Sequence, residues 1–216
     1  MLTMLEEVVL LAVDEQTGNL RSTREFGTAY ALVGALFFDL ALAKRIDTDT
    51  ETIQIIDQTP TGNATLDRVL AGMAQKPQLT TVRQWIEEIF LRRDDLEGEA
   101  LGLLIAREVL RHEKTRRLWI IDIERFPLVD NKPQQHVKAR LAQAILTDNI
   151  PDTRDIMLVS IAEQCGLLGY VLSDTQLNSR RQRIHTLSNV ETISRKVIEA
   201  IAGLDEARQQ SIGKIV

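Results

Sequence analysis

The sequence predicts a mainly α protein: a helical domain around a central apolar helix, carrying a protruding β-hairpin and a short second strand pair. Three observations predict it. Two Thr-x-x-Glu/Gln capping boxes, Thr3 with Glu6 and Thr81 with Gln84, open helices early in the chain. The run "YALVGALFFDLALA" (Tyr30 to Ala43) is too continuously apolar to have a wet face. Strand-like alternation, by contrast, is confined to two places, residues 45–63 and 109–123.

In chain order, the Thr3 box predicts a helix from Met4 to about Val13, ending at "DEQTGNL", where Gly18 and Asn19 mark a turn. The central helix is predicted from about Phe26 to Arg45. Ile53 and Ile55 then alternate around Gln54, and Pro60 with Gly62 closes a short strand pair. Leu66, Val69, Leu70 and Met73 share one face of a helix that Pro77 stops. The Thr81 box opens "VRQWIEEIFLRR", with Trp85, Ile86, Ile89 and Phe90 facing inward. A helix from Leu96 to about Leu110 carries the stripe Leu101, Leu104, Ile105 and Val109. Residues 109–123 read as a hairpin whose polar tip is His112 to Thr115. The segment "QHVKARLAQAIL" is amphipathic, with Val137, Leu141 and Ile145 on its apolar face. Thr153 is expected to cap "DIMLVSIAEQCGLL", and two further helices, Arg180 to Leu187 and Glu191 to Ala202, precede a frayed tail.

The 216 residues are 44% hydrophobic and 26% charged, with 11 Gly and 5 Pro, which predicts one ordered domain over residues 1–216. Net charge is -5, so affinity for anions, if present, is local. The lone Cys165 sits in apolar sequence and reads as a buried inert thiol. The start lacks a basic n-region and reads as no signal peptide, and the apolar run is shorter than the ~20 residues needed to span a bilayer and contains Asp39. A cytoplasmic location is expected, with peripheral contact at the inner membrane face.

The chemistry of enzymes is not visible. HExxH, Gly-rich phosphate loops, GxSxG and paired cysteines are all absent, and His112, His136 and His185 lack partners at metal-ligand spacing. No catalytic residue, metal or cofactor is expected. The adjacent acids Glu6 with Glu7, Glu87 with Glu88 and Asp94 with Asp95 point about 100° apart on a helix and are expected on solvated faces.

The stretch "RHEKTRRLW" is the densest cationic knot in this acidic chain. Three readings stand open. The charges keep an exposed ribbon soluble; the ribbon is the wing of a nucleic-acid reader, against which the acidic "DDLEGEA" of the preceding helix counts; or it meets an anionic membrane. In the last case Arg111, Lys114, Arg116 and Arg117, less Glu113, supply about 3 kcal/mol. Trp119 either adds interfacial burial or packs in the core.

With these segments placed, the chain resembles a bacterial member of the Golgi phosphoprotein 3 family. The resemblance rests on "LTMLEEVVLLAVDEQTG", "LVGALFFDLALAKRI", "TPTGNATLDRVL", "TVRQWIEEI" and "LWIIDIERFP", in order from Leu2 to about Ala202. It implies a helical domain whose hairpin serves membrane contact and self-association. It also implies an adaptor that binds phosphatidylinositol 4-phosphate and recruits a coat to retain glycosyltransferases. Against the family pattern, Arg24 stands at a pocket tryptophan, Val33 at a phosphate-contacting arginine, and Asp94 and Glu97 at two further arginines, with Arg92 or Arg93 as neighbours able to compensate. The basic N-terminal arm that engages the coat is not expected, the sequence opening on the first helix.

Taken together, the sequence predicts a non-enzymatic peripheral adaptor for anionic lipid headgroups, homo-oligomeric through its hairpin and without nucleic-acid partners. The expected contact residues are Arg21 and Arg24 at the turn into the central helix, and Arg111, Lys114, Arg116, Arg117 and Trp119 in the hairpin. The alternatives are a soluble protein-interaction module that has lost lipid binding, a winged-helix nucleic-acid binder and an uncharacterised enzyme.

Overall fold

The structure, a computed structural model, describes residues 1–21, 26–48, 52–117 and 121–212. Among them run α1 (Met4–Ala12), α2 (Gly27–Leu42), β1 (Ile46–Thr48), β2 (Ile53–Ile55), α3 (Ala64–Ala74), α4 (Val82–Phe90), α5 (Arg93–Ala106), β3 (Glu113–Arg117) and β4 (Ile121–Arg125). After them come α6 (Lys132–Leu146), α7 (Thr153–Gln164), a 3-10 turn (Leu167–Tyr170), α8 (Asp174–Ser179), α9 (Arg181–Ser188) and α10 (Thr192–Ile212). β1 pairs with β2, and β3 with β4, both antiparallel. None of the helices is long and apolar enough to cross a membrane, among the described residues.

The centre is a pair of dry helices rather than one. α2 packs against α1, α4, α5, α7 and α10, as its continuous apolar run requires. A methyl group at Gly34 would overlap Ile161 of α7, so the glycine lets these two helices close on each other. α1 is buried along its whole length, Glu6 and Glu7 included. Those two acids were expected on a wetted face. The helix in fact lies between α2, α5 and α6, where no face remains for water.

Buried carboxylates need partners, and neighbouring helices supply them. Arg140 of α6 donates to Glu7 at 2.7 Å and, through Nε, to Asp155 at 2.9 Å. Arg154 of α7 reaches Glu7 at 3.1 Å and Asp39 of α2 at 3.3 Å. The Met4 amide donates to Asp39 at 2.8 Å. Arg107, at the end of α5, holds Glu6 at 2.7 Å. Burial depresses the Arg140 pKa, but hydrogen bonds to Asp155 and Glu7 outweigh it and leave the guanidinium above its ordinary value. Asp39 goes the other way: burial exceeds the pull of Arg154 and raises its pKa to about 6. Gln134, fully buried, donates to the carbonyls of Leu10 and Val13 at 2.6 and 2.8 Å and so satisfies the C-terminal end of α1.

Both capping boxes form as predicted, at Thr3 and Thr81. Trp85, Ile86, Ile89 and Phe90 are buried, as is Cys165. The cap of α7 is Asp152 rather than Thr153, and α10 continues to Ile212 instead of fraying near Ala202. Two predicted helices overran. α2 stops at Leu42 because Lys44 turns left-handed (φ 56°), its amide bonding Ala41 while that of Arg45 bonds Leu40. α5 stops at Ala106 by the same motif at Glu108 (φ 58°). Neither position is the glycine that usually marks such an end.

The hairpin also differs from expectation. Its ladder pairs Glu113 with Arg125, Lys114 with Glu124, Thr115 with Ile123, Arg116 with Asp122 and Arg117 with Ile121. Residues 112–115 are therefore not its tip, since the connection falls at 118–120, outside the described residues. Its root is fixed to the turn after α1. The Phe126 amide donates to the Gly18 carbonyl at 2.7 Å, and Gly18 is left-handed (φ 67°) with the Pro127 nitrogen 2.6 Å from where a Cβ would sit.

Gly18→Ala should therefore lower the unfolding free energy by about 2 kcal/mol, through left-handed strain and overlap with Pro127, as read by urea denaturation. The raised pKa of Asp39 gives stability that is present at low pH and lost as pH rises through about 6. Comparing pH 5 with pH 7.5, the wild type should gain about 1 kcal/mol over Asp39→Asn in paired urea titrations.

Candidate anion-binding site

Residues 14–21 form a turn closed on itself. Asp14 Oδ1 accepts from the amides of Gln16 and Thr17 at 2.9 and 2.7 Å and from the Thr17 hydroxyl at 2.9 Å. Its Oδ2 accepts from Arg21 Nε at 2.7 Å. The Arg21 hydrogen bond, reinforced by those from Thr17, holds the Asp14 carboxyl well below the usual carboxylate range. Arg21 also lies over the Tyr170 ring, 4.7 Å from its centroid. Expected as an anion contact at the turn into the central helix, it is part-buried and paired with Asp14.

The chain enters α2 through Phe26, a left-handed aromatic (φ 63°) that provides no side-chain cap. Thr28 donates its hydroxyl to the Arg21 carbonyl at 3.0 Å. Opposite stands the α4–α5 junction. Arg93 lies over Phe90 and Phe26, 4.8 and 5.6 Å from their centroids, and Phe26 meets Phe90 edge-on at 5.6 Å. Between Arg21, Phe26, Thr28 and Ala29 on one side and Arg93, Asp94 and Glu97 on the other is a recess of about 290 Å³.

One wall of this recess holds the N-terminus of α2, where Phe26 supplies no side-chain cap, and two guanidiniums stand at its edges. The other wall opposes it. Asp94 is highly exposed and 3.7 Å from Arg93, and Glu97 is pushed upward in pKa by burial and then by Asp94. Val33 is fully buried in α2. Leu20, Asp94 and Glu97 also line a groove toward the hairpin, floored by Leu101, Ile105 and Phe126 and carrying Glu124. There His112 stacks on Phe126 with centroids 5.2 Å apart.

In the hairpin, Arg111 pairs with Glu113 at 2.8 Å and Lys114 with Glu124 at 3.4 Å, both exposed. Arg116 and Arg117 are placed by backbone register alone, opposite Asp122 and Ile121, their side chains lying outside what is described. Arg24 and Trp119 lie outside the described residues. Over residues 111–125 five cations face three acids, a net +2, so the knot is less positive than its densest stretch. The structure thus brings Arg21 and Arg93 to one recess. Sequence reasoning missed the Asp14 clamp, although an Asp three residues before a Thr-Gly turn is a known turn signature.

The Golgi phosphoprotein 3 (GPP34) family model matches residues 4–202. The vacuolar protein sorting-associated protein 74 of Eremothecium gossypii is 28% identical to this chain over 215 residues, with 83% of the chain and 64% of the relative covered. The chain thus spans somewhat less than two thirds of that relative's length.

Asp14→Asn, which keeps the turn acceptor but removes the charge facing Arg21, should cost about 1 kcal/mol in urea denaturation, the scale of one charged hydrogen bond near the surface.

Proposed function

Because the chain belongs to the Golgi phosphoprotein 3 family, we propose that it is a non-enzymatic adaptor, one unit over residues 1–216, that docks peripherally on membranes bearing anionic headgroups from the cytoplasmic side. The observation that carries this reading is the family match across residues 4–202. Two features of the surface support it.

The first is the recess at the start of α2, where Arg21 and Arg93 flank the helix end. With Asp94 and Glu97 beside them, this recess holds a headgroup phosphate more weakly than an all-arginine pocket would. The second is the hairpin, where Arg111, Lys114, Arg116 and Arg117 outnumber the acids and Trp119 stands between the strands in sequence. The pairs made by Arg111 and Lys114 are exposed, and such pairs are worth about 1 kcal/mol or less, so a phosphate surface can replace them. Homo-oligomerisation through the hairpin would present several copies at once.

Those same pairs favour the second reading, a protein-interaction module without lipid affinity. Vesicle sedimentation separates the two. The wild type should pellet with phosphatidylserine and phosphatidylinositol 4-phosphate vesicles, less at high salt, and not with neutral ones. Changing Lys114, Arg116 and Arg117 to Glu should abolish pelleting, and Arg93→Glu should lower it severalfold for the phosphoinositide only. Pelleting on none of the vesicles would leave the interaction module as the better account, and equal pelleting on all of them would remove the cations from the mechanism.

A further inference from the structure

On another side of the molecule, α3, α4 and α5 enclose a cavity of about 310 Å³ that none of the foregoing uses. α3 presents Arg68, Val69 and Gly72 from one face, and Gln75 and Lys76 follow just past its end. α4 and its end present Trp85, Glu88, Ile89 and Arg92, spaced three, four and seven residues on from the first. Leu96 closes the floor. The core face of α3, with Leu66, Leu70 and Met73, is packed elsewhere, so the gap is a separate feature. A Cβ built on Gly72, one of the lining residues, meets nothing within 4 Å, so a side chain there has room.

The floor is apolar and the rim is charged. Lys76 is held by Glu88, and Arg68 by Glu99 at 2.6 Å. Arg92 is exposed, and no ion pair or hydrogen bond engages its guanidinium among the described residues. Asp95 is the remaining rim acid. With Glu99 counted beside Arg68, three cations meet three acids and the rim is neutral overall, and Arg92 is left among the described residues as a rim cation without an acid partner, a contact for one anionic group rather than for a polyphosphate. A free guanidinium matches a planar carboxylate in a forked, two-bond contact. The volume is at the small end of ligand pockets, about 300 to 1,000 Å³.

We propose that this cavity binds a small carboxylate amphiphile, with its apolar body against Trp85, Ile89 and Leu96 and its carboxylate on Arg92. Consecutive residues at the α4–α5 junction then serve different sites, Arg92 this cavity and Arg93 the recess beside α2.

The chain has two tryptophans, so a Trp119→Phe background makes Trp85 the reporter. Dodecanoate, kept below its micellar range, should shift Trp85 emission saturably, dodecanol more weakly, and dodecylammonium not at all. Arg92→Gln should weaken dodecanoate about tenfold while leaving dodecanol unchanged, the effect of one charge-assisted contact. Gly72→Leu should abolish the dodecanoate response by filling the cavity, and because it raises helix propensity its loss of binding would not reflect unfolding. Saturable binding that survives Gly72→Leu would move the ligand elsewhere. Arg92→Gln weakening both probes alike would remove the carboxylate contact, and absence of saturation with dodecanoate would overturn the proposal.

Discussion

Three carboxylates on two dry helices constrain everything around them. Glu6, Glu7 and Asp39 lie on α1 and α2, where every side is covered by protein, and an unpaired charge there would cost several kcal/mol. The cations that answer them come from three other helices: Arg107 at the end of α5, Arg140 of α6 and Arg154 of α7. Apolar packing alone would allow these helices to slide by a fraction of a turn. Ion pairs near 3 Å tolerate far less displacement, so the network fixes their register on the central pair. Gln134 acts in the same sense, since its amide must reach two carbonyls at the end of α1.

That register carries through to the surface. The end of α1 leads into the turn over residues 14–21, which the Asp14–Arg21 clamp closes, and Thr28 of α2 bonds back to the Arg21 carbonyl. The same turn accepts the root of the hairpin through Gly18. Recess and hairpin are thus attached to one short segment whose geometry is dictated from inside. Phe26 enters α2 in a left-handed conformation that costs roughly 1–2 kcal/mol for a side-chain-bearing residue. Its ring is held in place by Phe90 and Arg93, and this packing offsets the strain while shaping the recess wall.

Most helices were legible because their signals are local. The Thr3 and Thr81 boxes and the stripe of Trp85 and Ile89 need nothing beyond four or five neighbouring residues. Helix ends at Lys44 and Glu108 were not legible, because both close with left-handed residues that lack the glycine signature and are stabilised by the packing that follows. The burial of Glu6 and Glu7 was hidden for a different reason. Their partners are separated from them by about a hundred residues or more, and a local reading assigns adjacent acids to water. The hairpin misled through composition: a charged segment reads as a tip, yet an exposed two-stranded ribbon accepts Lys and Arg along its length. Of the site, Arg21 was legible as a residue near the α2 entrance, while its neutralisation by Asp14 and its place opposite Arg93 across the recess required the fold.

Family scaffold and site chemistry separate in this chain, and magnitudes decide how membrane contact could still work. A net +2 on the hairpin is worth about 2 kcal/mol against an anionic surface, a partition factor of about 30 for one copy. The recess adds less than an arginine-lined pocket, because Asp94 and Glu97 stand beside its guanidiniums. Under the proposed function one copy would therefore be held only weakly. Two copies held together on the same face would multiply their partition factors, bringing the pair toward about a thousandfold. Under the proposed function, self-association rather than headgroup recognition is then the step that commits this protein to a membrane, and changes that weaken association would release it even with every cation intact.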